Sequence, residues 1–230
     1  MRDQYVGDVG DFAKYGLLRH FPKQGLKLGV VWYYRPYIPC AATQTGDYAG
    51  RKGADPALYD ALQYLIRNCG RYVRCVEDVE CGILPKGTGF FRDELPHPSN
   101  EELRQRWLNG AMRAMQDADL VFLDPDTGLI QKSVSIHNSE GREYAHCDDV
   151  RLFLEHGKSV VLYQTIRGKS IQQRIADVAA LTNIEPVTLQ FGTRLFIIVL
   201  QPDHADRIKA AIQELLTGPW REYFKKVGGA

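Results

Sequence analysis

Asp119-Leu120-Val121-Phe122-Leu123-Asp124-Pro125-Asp126-Thr127-Gly128-Leu129 is the stretch that decides the fold. Four apolar residues run straight into Asp-Pro-Asp-Thr-Gly. A short continuous apolar run closed by a turn signal is the pattern of a strand buried on both faces, as in parallel sheets. Pro125 fixes its own φ and biases Asp124 towards an extended backbone, so the strand should end with Asp124 at its tip. Open α/β sheets bind ligands beyond the carboxyl ends of their strands. Asp124 and Asp126 should therefore face a crevice.

Working upstream, Ser99-Asn100-Glu101-Glu102 is a capping box that opens a helix to about Asp117. Asp55-Pro56 starts another, with Asp as cap and Pro in the first turn, running to about Asn68. Between them Tyr72 to Val76 reads as a short strand, followed by a loose stretch to Pro98. Lys27 to Tyr34 is a β-branched and aromatic run and hence a buried strand. Residues 35–54 form a long loop poor in apolar residues. Its Thr45-Gly46-Asp47-Tyr48, with Arg51 and Lys52, reads as a solvated surface, with a lid or nucleic-acid contact as the alternative. At the start, Asp8 or Asp11 can cap a helix whose apolar positions, Phe12, Leu17, Leu18 and Phe21, make an incomplete stripe.

Downstream, a polar segment spans Gln131 to Ala145, and a helix from about Asp148 to His156 is broken at Gly157. Ser159 to Thr165 is a further buried strand. Ser170-Ile171-Gln172-Gln173 is a second capping box, and its helix places Ile171, Ile175, Val178 and Leu181 near one face. Pro186 to Phe191 and Arg194 to Gln201 are strands joined at Gly192-Thr193, a hairpin signal. Asp203 caps a last helix with Ile208, Ala211, Ile212 and Leu215 inward, and Trp220, Tyr223 and Phe224 in the tail should fold back onto the body. No repeat or linker interrupts residues 1–230. Alternating strands and helices predict one α/β domain, a mainly parallel sheet between helices, closed by an antiparallel hairpin.

With 29 basic and 28 acidic residues the chain shows no overall sign of a polyanion partner, so any nucleic-acid surface must be a local patch. No apolar run approaches the roughly 18 residues that span a bilayer, and the N-terminus lacks a signal-peptide core, so a cytoplasmic protein without membrane contact is expected. Cys40, Cys69, Cys75, Cys81 and Cys147 form no Cys-x-x-Cys pair, which favours idle thiols over zinc or disulfides. Oligomeric state is left open.

The order of elements (a central strand with an acidic tip, a crossover helix, a strand, another helix and a closing hairpin) is similar to class I S-adenosylmethionine-dependent methyltransferases. In their amino-methylating members Asp/Asn-Pro-Pro-Tyr/Phe occupies the place of Asp124-Pro125-Asp126-Thr127. Gly7-Asp8-x-x-Asp11-x-x-Lys14-Tyr15 also resembles the Gly-Asn-x-x-Asp-x-x-Lys-His signature of the 23S ribosomal RNA adenine-N6 methyltransferases. The likeness implies a Rossmann-like three-layer sandwich, with S-adenosylmethionine as cofactor and nucleic acid or a nucleotide as substrate. It implies that Asp8, Asp11 and Lys14 bind the donor and that Asp124 orients the acceptor amine, with Asp126 and Lys14 beside it; Gln164, at the end of the next strand, is a further donor-binding candidate by its place on the rim. Two departures stand out. Val31-Trp32-Tyr33-Tyr34-Arg35-Pro36 replaces the family's glycine-rich turn, and Asp-Pro-Asp-Thr lacks the aromatic that stacks on a flipped base.

From the residues alone, Asp124 and Asp126 can also ligate Mg²⁺ as a metal-binding pair in a nuclease or phosphoesterase, a hydrolase that uses Lys14 as a point charge. A third reading is a catalytically inert nucleic-acid-binding module. Lys14 can offset the charge of Asp124 or hold a phosphate. Gln164 and Thr165 end a strand that should flank Asp124. Arg167-Gly168-Lys169-Ser170 places cations before a helix N-terminus without the glycine spacing of a P-loop. Arg35, Tyr33 and Tyr34 offer stacking groups at the first strand's end. His137, His146 and His156 have no metal spacing. The Asp-x-Asp pattern of haloacid-dehalogenase phosphatases is not met, because Gly128 stands where those need Thr or Val.

Overall fold

A computed structural model of the 230-residue chain describes residues 1–36, 48–96, 100–131, 134 and 140–229. In chain order come α1 (Val9–Leu18), β1 (Leu28–Trp32), α2 (Pro56–Tyr64), α3 (Val73–Val76), β2 (Gly89–Phe91), α4 (Glu101–Ala114) and β3 (Leu120–Asp124). They continue with β4 (Gly128–Leu129), β5 (Tyr144–Ala145), α5 (Cys147–Glu155), β6 (Ser159–Thr165) and α6 (Ile171–Thr182). β7 (Val187–Phe191), β8 (Arg194–Val199), α7 (Pro202–Thr217) and β9 (Lys225–Gly228) complete them.

The described residues form a seven-stranded sheet in the order β2-β1-β3-β6-β8-β7-β9, and β4 and β5 pair separately. β2, β1, β3 and β6 are mutually parallel, while β8, β7 and β9 join through antiparallel contacts. Strand alternation splits the apolar residues into two layers. Leu120 and Phe122 of β3 face a core with α1, α2 and α7, and Val121 and Leu123 face one with α4, α5 and α6. The fold is thus α/β, a Rossmann-like three-layer sandwich with C-terminal antiparallel strands. No helix among the described residues is long and apolar enough to cross a membrane.

Several local expectations change. Tyr72 to Val76 is not a strand: Val73–Val76 is a helical turn, because the Asp3 carboxylate accepts from Val73 N at 2.9 Å. The expected strand rested on β-branched residues, and a cap from 70 positions away overrides them. Asp203 does not cap α7; Gln201 is the N-cap residue, and Pro202 occupies the first turn, where its missing N–H costs nothing. Asn100 caps α4 through Leu103 N, and Ser99 lies outside the described residues. Asp8 caps α1, and the Ser170 capping box forms as expected. The tail adds an edge strand, β9, to the sheet and buries Trp220 and Phe224 against the body.

Candidate functional site

Helix α1 carries charge into the core. Its residues from Gly10 to Leu18 are all buried, including Asp11 and Lys14. An enclosed helix shows no clean amphipathic stripe, which explains the incomplete one in the sequence. Lys14 Nζ donates to Asp11 Oδ1 and to Asp124 Oδ2, each at 2.9 Å. Asp11 Oδ2 accepts from Gly7 N at 3.0 Å and from the Tyr15 hydroxyl at 3.1 Å. One ammonium therefore serves two buried carboxylates.

That stoichiometry sets the titration. Burial lowers and two carboxylates raise the pKa of Lys14, and the carboxylates win, lifting it above its ordinary value. Asp124 is raised too, first by burial and then by Asp11, with Lys14 and the N-terminal amine opposing without cancelling. The two shifts agree, because Lys14 is over-compensated and Asp124 under-compensated. A carboxyl raised above its ordinary 3.8 contributes stability at acid pH and loses it as pH rises through the folded-state pKa. At neutral pH Asp124 thus weakens the fold. Asp124→Asn keeps an acceptor for Lys14 and removes a buried charge. It should unfold at an unchanged or higher temperature at pH 7.5, by up to about 2–4 °C for 1 kcal/mol, with the gain shrinking at pH 4.5. A variant that loses more stability at pH 7.5 than at pH 4.5 would contradict this assignment.

Beyond the tip the chain is clamped. Asp126 Oδ1 meets the Met1 α-amino group at 3.0 Å, and its Oδ2 accepts from Arg2 Nε at 3.0 Å and Arg35 Nη2 at 2.9 Å. Glu143 Oε1 takes a second bond from each arginine, at 2.7 and 2.9 Å. The Met1 amine also donates to the carbonyls of Tyr33 and Asp124. Gln164 accepts from Leu129 N at 2.9 Å and donates to the Thr127 and Thr165 carbonyls at 3.0 and 2.9 Å. The Thr165 hydroxyl donates to the Thr127 carbonyl as well.

A cleft of about 700 Å³ opens over this tip, with Asp11, Lys14 and Asp124 lining it from buried positions. Tyr5 and Tyr163 also line it, and Lys14 Nζ lies 5.2 Å from the Tyr163 ring centroid. Asp8, Arg167 and Arg194 lie nearer the solvent, with Arg194 Nη2 3.5 Å from Asp8 Oδ2. Pairing of Thr165 with Arg194 between β6 and β8 delivers that arginine to the rim.

Of the sequence candidates, Asp8, Asp11, Lys14, Asp124 and Asp126 meet in this one cleft. Gln164 is buried behind it as the brace of the Thr127–Leu129 turn. Tyr33 donates to the buried Asp149, which also pairs with Arg104, and Arg35 is spent on Asp126 and Glu143. Lys169 pairs with Asp177, leaving Arg167 on the cleft. Cys69, Cys75, Cys81 and Cys147 are free and partly buried. His146 is half-buried at the start of α5 and His156 is exposed. Cys40, the 45–47 segment and His137 lie outside the described residues. Sequence reading missed Tyr5, Tyr163, Arg194, Arg2 and Glu143, since only tertiary pairing brings them to the tip.

Mg²⁺ at these carboxylates would compete with cations already in place. Both oxygens of Asp126 and Oδ2 of Asp124 already contact cations, which a metal would have to displace. Among the described residues no group of three or more His, Cys, Asp or Glu side chains is placed to hold a metal ion. No protein-family model matches the chain, and comparison with curated proteins and with solved structures finds no significant match.

Proposed function

We propose that the cleft is the active site of a methyltransferase-like enzyme acting on an amine of a nucleobase, in nucleic acid or a nucleotide. The observation that carries the reading is the Asp124 carboxylate at the tip of β3, buried, held by Lys14 on one oxygen, and facing a cleft lined by two tyrosines. Asp124 Oδ1, which Lys14 does not engage, accepts a hydrogen bond from the amine, and the raised pKa suits it to take the amine proton. Tyr5 and Tyr163 offer the aromatic faces a base needs, in place of the one missing from Asp-Pro-Asp-Thr. S-adenosylmethionine, when bound, supplies the methyl group. Asp8 offers a carboxylate to its ammonium, and Arg167 and Arg194 offer guanidiniums to its carboxylate. Trp32 and Tyr33 are buried at the end of β1, so the donor is held from the α1 side, without a glycine turn.

Thermal unfolding with S-adenosylmethionine, with Mg²⁺ as a separate arm, tests the reading alongside transfer of labelled methyl to nucleic acid. Donor at about 100 times its Kd should add roughly 2.7 kcal/mol, a rise of several degrees for a domain of this size. Arg194→Ala should reduce that shift, and Asp124→Asn should keep it while abolishing transfer. No shift with the donor, together with a Mg²⁺ shift that Asp124→Asn removes, would replace methyl transfer with metal-dependent phosphoester chemistry.

A further inference from the structure

A second cavity, of about 450 Å³, lies on the other side of the N-terminal segment and is lined by Asp3, Tyr34, Tyr72, Arg74 and Arg92. Arg2 lines the Asp124 cleft and Asp3 lines this pocket, so consecutive residues partition the two. Tyr34 follows β1 and Arg92 follows β2, at the carboxyl ends where such sheets bind ligands. Asp3 is fully engaged: its Oδ2 accepts from the Tyr34 hydroxyl at 2.9 Å, and its Oδ1 accepts from Val73 N. This fixes the Tyr34 ring and consumes the acid's acceptors. Tyr72 is 44% exposed, and the Arg74 guanidinium lies over its ring at 4.8 Å. Among the described residues no carboxylate lies within ion-pair distance of Arg74, and Glu77 meets Arg92 only at 3.6 Å.

A guanidinium with no carboxylate partner among the described residues, a second one loosely paired, and two tyrosines around one cavity are complementary to a ligand with a phosphate and a flat π-system. We propose that this pocket binds a nucleoside monophosphate unit, its base against Tyr72 and Tyr34 and its phosphate on Arg74 and Arg92. The volume falls within the range of small-ligand pockets. The inference does not rest on methyl transfer in the Asp124 cleft. Free nucleotide and a nucleotide within a strand share this chemistry.

Calorimetric titration of the whole chain with adenosine 5′-monophosphate, adenosine, inorganic phosphate and a short single-stranded oligoadenylate tests it without any methyl donor. The monophosphate should bind more tightly than adenosine or phosphate. Tyr72→Ala and Arg74→Gln, both at exposed positions and checked for folding by circular dichroism, should each weaken it about tenfold. Arg194→Ala, in the other cleft, should leave it unchanged. Tighter binding of the oligonucleotide with the same sensitivity identifies a strand as the source, and equal or weaker binding identifies the free nucleotide. Absence of monophosphate binding, indifference to both pocket variants, or loss only in Arg194→Ala would overturn the proposal.

Discussion

Lys14→Met is expected to lower the stability of the fold by about 3–5 kcal/mol, because removing one partner of a buried ion pair leaves its counter-charge unpaired in low dielectric. Here two carboxylates are stranded, Asp11 and Asp124, each 2.9 Å from the lost ammonium. Methionine keeps most of the side-chain volume, so the loss measures charge and not a cavity. For a chain of this size the unfolding temperature should fall by roughly 10 °C. The loss should grow with pH. Without Lys14 the Asp124 carboxyl is lifted further above its unfolded value, so its protonated form is favoured in acid and the fold weakens as pH rises through the shifted pKa. Denaturant unfolding at pH 4.5 and 7.5 reads both effects. A variant that loses less than about 1 kcal/mol, or loses as much in acid as at neutrality, would show that the cluster is better hydrated than its burial implies. Adding Asp124→Asn to Lys14→Met should recover part of the loss at neutral pH, since the coupled pair shares one term.

Gly128→Ala should cost about 3 kcal/mol or more. Its φ of +123° lies where L-residues rarely go, a strain of roughly 1–3 kcal/mol. An added Cβ would also sit 2.3 Å from Gln164 Cδ and Oε1 and 2.4 Å from Nε2. Three hydrogen bonds hold that amide, so it cannot swing aside without leaving buried groups unpaired, at about 1–3 kcal/mol. Gln164→Ala in the same chain removes the overlap but not the φ strain, so the double variant should recover only part of the loss. Unfolding of the two single variants and the double gives the coupling directly. Near wild-type stability in Gly128→Ala would mean that Gln164 does not clamp the turn.

What the sequence made legible was what local physics dictates. Leu120 to Leu123 running into Pro125 fixed the strand and its acidic tip, and of the two roles open to Lys14 the structure shows the one that offsets the charge of Asp124. Other features are set by partners far along the chain. Val73-Arg74-Cys75-Val76 reads as strand until Asp3 caps it, and nothing near Tyr163 announces that Lys14 will lie by its ring. β9 was hidden because an edge strand bearing exposed Lys225 and Lys226 carries no apolar run. Gln164 was legible as a residue near the tip but not as its brace, since a side-chain amide at a strand end fits either role.

Trp220 bears on α1 directly: its ring lies 4.8 Å from that of Phe12, and a Cβ on Gly16 would meet it at 2.2 Å. Phe12 and Gly16 flank Lys14 on the helix that holds the carboxylates together. The helix at Val9–Leu18 is synthesised well before its brace at Trp220. Until Trp220 emerges, the helix waits with one aromatic face uncovered. A product that stops before Trp220 therefore carries every residue of the cleft, while the helix that holds Asp11 and Lys14 lacks its Phe12–Trp220 contact.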